Sequence, residues 1–236
     1  MALENRGRSH QIISGNQQGV GKTELATCVL LLAQDSTNTL LTESEVLKGD
    51  FERSLVPIIK DRAVTAILID NIVGNSLGKF NSNNIVPLIT DKRLAHRLFY
   101  SQSQLNLANN LQWLLTTNGA SHSNDLIDRS ILVEIAYPRD PTRRHSPTSP
   151  TETVAAKKQL LHAEAVGMYQ NWLDQGQPSS KIPGRNFQFF SRMNSVLVCN
   201  GFHGFDSNRQ TLRSSAADPE TELLTDIFSI WAAQDS

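Results

Sequence analysis

The sequence predicts an α/β protein: a parallel five-stranded sheet flanked by helices, followed by a small α-helical C-terminal domain. Three observations carry this reading. Up to about Tyr137, short β-branched or apolar runs alternate with helical stretches, which is the order of a parallel sheet with crossover helices. The later runs are apolar throughout, as expected of strands covered on both faces. Past a proline-rich stretch, apolar positions recur at helical spacing alone.

In chain order, strands are expected at 11–14, 38–41, 65–69, 111–117 and 131–135, with helices over 23–34, parts of 45–60 and 85–94. Pro138, Pro141, Pro147 and Pro150, with Arg143, Arg144 and several Ser and Thr among them, read as a linker that holds neither helix nor strand. Helical spacing resumes over 154–173, 187–198 and 220–231. The division is then a core at 1–137, a linker at 138–152 and a helical domain at 153–236.

Composition narrows the function classes. Lys+Arg 22 against Asp+Glu 23 gives a net charge of −1, so a nucleic-acid contact has to be a local basic feature and not an overall field. Only 6% aromatic residues argues against a base-stacking platform as the main device. Cys28 and Cys199 lack metal-ligand or disulfide-framework spacing, and a reducing compartment is the default. The start MALENRGRSH has no signal-peptide apolar region, and the apolar run at 26–33 is too short to span a bilayer. The expectation is a cytoplasmic protein with no membrane partner.

The segment IISGNQQGVGKTELATCVLLLA sets Gly19, Gly21, Lys22 and Thr23 between a strand and a helix, the context of a Walker A loop. Glycines let successive amides face one anion, and the helix start adds its positive dipole end. The loop residues Asn16, Gln17, Gln18, Gly19, Val20, Gly21, Lys22, Thr23 and Glu24 are therefore the expected nucleotide site, for ATP with Mg²⁺. Lys22 would neutralise the β and γ phosphates, and the Thr23 hydroxyl would ligate Mg²⁺. Usual spacing asks for glycine at 16, where Asn16 stands with Gly15 before it. Asparagine tolerates left-handed backbone, which would let the loop close.

TAILIDNIVG places Asp70 at the C-terminal end of an apolar strand, where it would hold Mg²⁺ through water; alone, such an Asp is also a common turn signal. Asn71 stands where many motor ATPases carry a glutamate base, and an amide accepts no proton. Glu43 or Glu45 could substitute if the second strand lies beside the first; as helix N-terminal acids they have an equally good structural explanation. LQWLLTTNG brings Asn118 to a strand end, either to orient water near the γ phosphate or to make an Asn-Gly turn. Arg129, just before the fifth strand, suits an arginine finger toward a neighbouring subunit or a local surface pair with Asp128.

Between the helix ending near Leu94 and the Asn118 strand, RLFY and QLNL can pair across SQSQ as a hairpin. Lys92, Arg93, His96 and Arg97 cluster at its base, with Phe99 and Tyr100 attached. Such a projection suits a nucleic-acid backbone, and it is equally an ordinary surface hairpin; Lys92, Arg93 and Arg97 are the candidate DNA-binding residues.

The order GVGKT, ILIDN, hairpin, LLTTNG and DRS resembles the AAA+ fold, a P-loop NTPase of the AAA+/ASCE type. Within it the chain looks like the superfamily-three-type helicase modules of phage and plasmid primase-helicases and related mobile-element ATPases. The tail, with QNWLDQGQP, RNFQFFSRM and GFHGFDSN, is similar to the region after the ATPase core there. The resemblance implies Mg-nucleotide binding by Lys22, Thr23 and Asp70, with Asp70, Asn71, Asn118 and Arg129 as catalytic residues. Asn118 would be the first sensor and Arg129 the finger, with Arg185 or Arg192 as a lid-side contact. Implied partners are single-stranded or forked DNA, further copies of the chain in a ring such as a hexamer, and a primase or replication initiator. No primase or origin-binding domain, and little or no helical collar, is expected within the short stretch before the loop.

The expected function is an ATP-dependent, helicase-like nucleic-acid motor. Two alternatives stay open: an ATP-binding switch in which Asn16 and Asn71 mark lost hydrolysis, and a small-molecule P-loop kinase.

Overall fold

The computed structural model describes residues 10–34, 40–42, 55, 57–58, 64–73, 91, 93–97, 104–118, 122, 124–138, 140–141, 148–182, 187–209 and 211. The expectations for Glu43, Glu45, Lys92, Phe99, Tyr100, Arg143, Arg144, Arg185 and the helix at 220–231 lie outside these residues.

The chain runs β1 (His10–Gly15), α1 (Lys22–Ala33), β2 (Leu40–Thr42), β3 (Ala66–Ile72), β4 (Arg93–Arg97), β5 (Gln104–Ala108), β6 (Gln112–Thr117), α2 (Asn124–Asp128), β7 (Ser130–Ile135), α3 (Pro150–Asp174) and α4 (Phe187–Cys199). Five strands form one parallel sheet in the order β2-β3-β6-β1-β7. Alternation along each strand fills both faces. Ile13, Ala66, Leu68 and Leu114 pack with Ala26 and Leu30 of α1, while Ile12, Ile67, Trp113 and Leu115 form the opposite core with Leu41, Leu55 and Leu126. Two buried faces account for the unbroken apolar runs in the sequence.

The order matters for the site. Because β6 lies between β3 and β1, the C-terminal ends of β1, β3 and β6 emerge together at one edge, where open α/β sheets place ligands. It also removes the condition attached to Glu43 and Glu45: β2 pairs with β3 at the sheet edge and is separated from β1 by β3 and β6.

Two local expectations are corrected. Arg93 and Leu94, read as the end of a helix, belong to strand β4, which pairs antiparallel with β5 from Arg93↔Ala108 to Arg97↔Gln104. The hairpin therefore forms earlier in the chain than RLFY, with RLAHR as its first strand, because cross-strand partners outweigh the weak local preference. Pro150 does not end a linker. It occupies the first turn of α3, where its missing N–H costs nothing, and the Ser149 hydroxyl accepts from Glu152 N–H at 3.4 Å as the cap.

The helical region is attached through its first helix. α3 lies along α1: Lys158 Nζ donates to the Gln34 carbonyl at 3.2 Å, and the His162 ring meets the Leu32 carbonyl at 2.8 Å. Gln34 in turn accepts through Oε1 from the N–H groups of Thr65 and Ala66, tying the end of α1 to the start of β3. The long helix is thus anchored on the C-terminal carbonyls of α1, the groups a helix end leaves unsatisfied. Among the described residues no helix is long and apolar enough to cross a membrane.

Candidate functional site at the strand-to-helix turn

The connection from β1 to α1 bends tightly. Gly15 is enclosed: a Cβ there would come within 2.6 Å of Val20 Cγ2 and 3.1 Å of the Ile135 carbonyl. Only glycine fits that approach, so the small residue that usual loop spacing asks for at 16 is supplied one position earlier. Gly21 caps α1 in left-handed backbone, φ 98°, without a side-chain cap. The first N–H groups of α1 are therefore left for another acceptor at the helix's positive end.

Lys22, the first residue of α1, is buried, and Nζ donates to the Gln17 carbonyl at 3.1 Å across the turn. Burial holds its ammonium below the usual lysine value, while the Asp70 carboxylate pulls the other way. Thr23 Oγ1 donates to Asp70 Oδ1 at 2.9 Å, joining the start of α1 to the end of β3. The expected pair Thr23 and Asp70 thus stands together beside Lys22.

Asn16 corrects its expectation. Its backbone is not left-handed; the non-glycine residues with positive φ among those described are Asn71, Gln177 and Asp206. The side chain instead reaches across to the main chain of Tyr137, donating to its carbonyl at 2.9 Å and accepting from its N–H at 3.1 Å. Gln17 Nε2 donates to the same carbonyl at 2.9 Å. Gln18 and Gly19 are exposed and Val20 is buried, while Glu24 lies exposed on the first turn of α1.

The β3 end departs from regular pairing: its register with β6 shifts between Ile69 and Ile72, and Asn71 sits at φ 60° within the shift. Such an irregularity re-aims side chains at a strand end. Thr116 of β6 stabilises it, its hydroxyl donating to Asp70 Oδ1 at 2.5 Å and accepting from Asn71 N–H at 2.8 Å. Asn118 N–H donates to the Ile72 carbonyl at 2.8 Å, and its side-chain amide donates to Asn71 Oδ1. Asp70, Asn71 and Asn118 are thereby assembled, with Thr116 as a member that motif reading did not single out. The signal was present: Thr116 follows the buried Leu114–Leu115 pair at the end of the strand that delivers Asn118.

Arg129 stands between α2 and β7, where its carbonyl accepts from His10 N–H at 3.2 Å. That places it at the start of β7, whereas the Asp70 group gathers at the opposite, C-terminal ends of β3 and β6. Asp128 is enclosed and faces Arg209, whose Nη1 lies 3.9 Å from Asp128 Oδ1. Arg209 also donates to the carbonyls of Asp128 and Ser130 at 3.2 and 3.0 Å, meets Asp206 at 2.6 Å and stacks 4.5 Å above the Phe190 ring. Its sequence surroundings gave no hint of burial.

The basic hairpin is a separate two-stranded unit outside the parallel sheet. Arg93 is exposed, and its guanidinium is held by Asn106 through Oδ1 at 2.6 Å and the carbonyl at 3.3 Å. Arg97 pairs with Gln104 in the ladder. Arg192 is exposed on α4.

Among the described residues no group of three or more His, Cys, Asp or Glu side chains is gathered for a metal ion. A single Thr hydroxyl beside one carboxylate nonetheless fits Mg²⁺, which keeps waters and takes its other ligands from phosphate. Chemically the edge offers uncapped helix N–H groups, one ammonium, and one hydroxyl–carboxylate pair, a combination suited to a polyphosphate with its cation.

No protein-family model matches the chain, and no curated protein does. Among solved structures it overlaps with an apo structure of the NrS-1 C-terminal region at 11% identity and a TM-score of 0.38, covering 86% of this chain and 60% of that one. A second apo structure of that region overlaps at 10% identity and a TM-score of 0.32, covering 86% and 62%. The chain spans about three-fifths of the length of these neighbours.

Proposed function

We propose that the chain binds Mg-ATP at the β1–α1 turn and hydrolyses it as a helicase-like motor module acting on DNA. The observation that supports this best is the Thr23–Asp70 hydrogen bond at 2.9 Å. It brings the two residue types that flank a nucleotide-bound Mg²⁺ from elements far apart in sequence to the point where α1 presents its free N–H groups.

In this reading phosphate oxygens replace the Gln17 carbonyl at Lys22 Nζ, so the ammonium exchanges an internal partner for a charged one. Thr23 and Asp70 would hold Mg²⁺, which supplies charge neutralisation at the β and γ phosphates. Thr116 would keep the Asp70 carboxylate oriented, and Asn118 would position a water or a phosphate oxygen. Arg129 would act on the nucleotide of a neighbouring copy, with the chain working as a ring-like homo-oligomer. Arg93 and Arg97, with Lys92, would follow the backbone of single-stranded or forked DNA. A primase or replication initiator would be a further partner.

The paired amides of Asn71 and Asn118 favour a second reading, a nucleotide-controlled switch, because neither amide accepts a proton from water. One measurement separates them: ATP turnover with and without single-stranded DNA. The motor reading expects stimulation that is lost in Lys22→Ala and reduced in the Arg93→Ala/Arg97→Ala double variant at low salt. ATP binding with no turnover in either condition favours the switch, and unchanged ATP binding in Lys22→Ala overturns both.

A further inference from the structure

The turn is fastened from outside by the chain that follows β7. The Asn16 amide uses a donor and its acceptor on one residue, Tyr137, and Gln17 Nε2 adds a third bond to the same main-chain unit. Asn16 N–H also donates to the Ile135 carbonyl at 3.3 Å, just past the Gly15↔Ile135 register pair. The Asn16 side chain thus behaves as one more peptide group, carrying the β1–β7 ladder one step beyond its backbone end. Farther along, a Cβ on Gly19 would meet Pro141 at 3.5 Å, so the same strap passes over the middle of the turn.

We propose that Asn16 and Gln17 are positioning residues for the turn. They act by tethering its outer side to Tyr137, and their side chains do not contact the phosphates. The inference rests on the nucleotide reading of the site and deepens it. Amides that cradle an anion are effective when their directions are set beforehand, since ordering a free loop on binding subtracts from affinity. The enclosed Gly15 already provides the close approach, so a glycine at 16 would add freedom and remove the tether.

The experiment measures ATP and ADP affinity, and the Tm of the nucleotide-free protein, for the unmodified chain, Asn16→Ala, Asn16→Gly, Gln17→Ala and Lys22→Ala. Asn16 is exposed, so its variants are expected to keep the nucleotide-free Tm within about 2 °C. Loss of two hydrogen bonds predicts about five- to tenfold weaker binding of both nucleotides by Asn16→Ala and Asn16→Gly, and about threefold for Gln17→Ala. Restoring the usual glycine would therefore weaken the site. Unchanged or tighter binding by Asn16→Gly, with Lys22→Ala losing ATP, overturns the tether and leaves the nucleotide reading intact. A fall in Tm that accounts for the affinity loss also overturns it, since the amide then holds the fold and not the turn. No ATP binding by the unmodified chain overturns the nucleotide reading itself and this inference with it.

Discussion

Asn71 combines left-handed backbone, an N–H held by Thr116 and a side-chain oxygen held by Asn118, so three separate demands converge on one position. Left-handed backbone costs most side chains about 1–2 kcal/mol, and asparagine and glycine are the residues that bear it. Asn71→Ala is therefore expected to destabilise the protein by about 1–2 kcal/mol in urea unfolding at neutral pH, and Asn71→Gly by less than half of that. The glycine variant loses only the Asn118 bond, so the difference between the two isolates the backbone contribution. Equal losses would show that conformation plays no part. The departure from the usual glutamate was legible in the sequence; its structural use was not, because it depends on a register shift against a strand some forty residues downstream.

Among the elements, those whose identity follows from local pattern were legible: β1, α1, β3, β6, β7, α3 and α4 all fall within a few residues of expectation. Their apolar runs or helical spacing encode what they bury. RLAHR carries no such pattern and becomes a strand only through its partner QLNLA. Arg209 was illegible for a related reason. Its burial arises where the segment after α4 meets the edge strand β7, and Asn208 Nδ2 reaching the Leu132 carbonyl at 3.5 Å marks the same junction. Burial pushes the Asp206 carboxyl above its usual value, and Arg209 opposes that shift. Removing one partner of such a group leaves a buried charge uncompensated. Arg209→Met is expected to cost about 3–5 kcal/mol by urea denaturation, and Asp206→Asn combined with it to recover part of the loss. A double variant no better than the single would disconnect the two residues.

For the molecule as a whole, pH sets a further limit. The ring nitrogens of His122 are shielded from water, and burial lowers its pKa from 6.5 to about 4. In the unfolded chain the ring takes up a proton as pH falls below 6.5, and in the folded chain not until about 4. The unfolded state binds more protons throughout that window, so stability is retained above pH 6.5 and declines toward pH 4. The decline is expected to reach about 2–3 kcal/mol. His122→Asn, which cannot titrate, should flatten it relative to the parent when unfolding free energy is followed from neutral pH down to about 4. An equally steep decline in that variant would assign the acid sensitivity to other groups.

The central position of β1 also fixes when the site can exist. Gln11 pairs with Leu114 on one side and Ile131 on the other, and the tether at Asn16 needs Tyr137. During synthesis the glycine-containing motif leaves the ribosome before its two neighbouring strands and its tether, which are all made about a hundred residues later or more. A nascent chain stopped short of Tyr137 would carry the complete motif without the shaped turn. The pairings that enclose β1 are all distant ones, which close slowly, and the shaped turn arrives as a late event of that process.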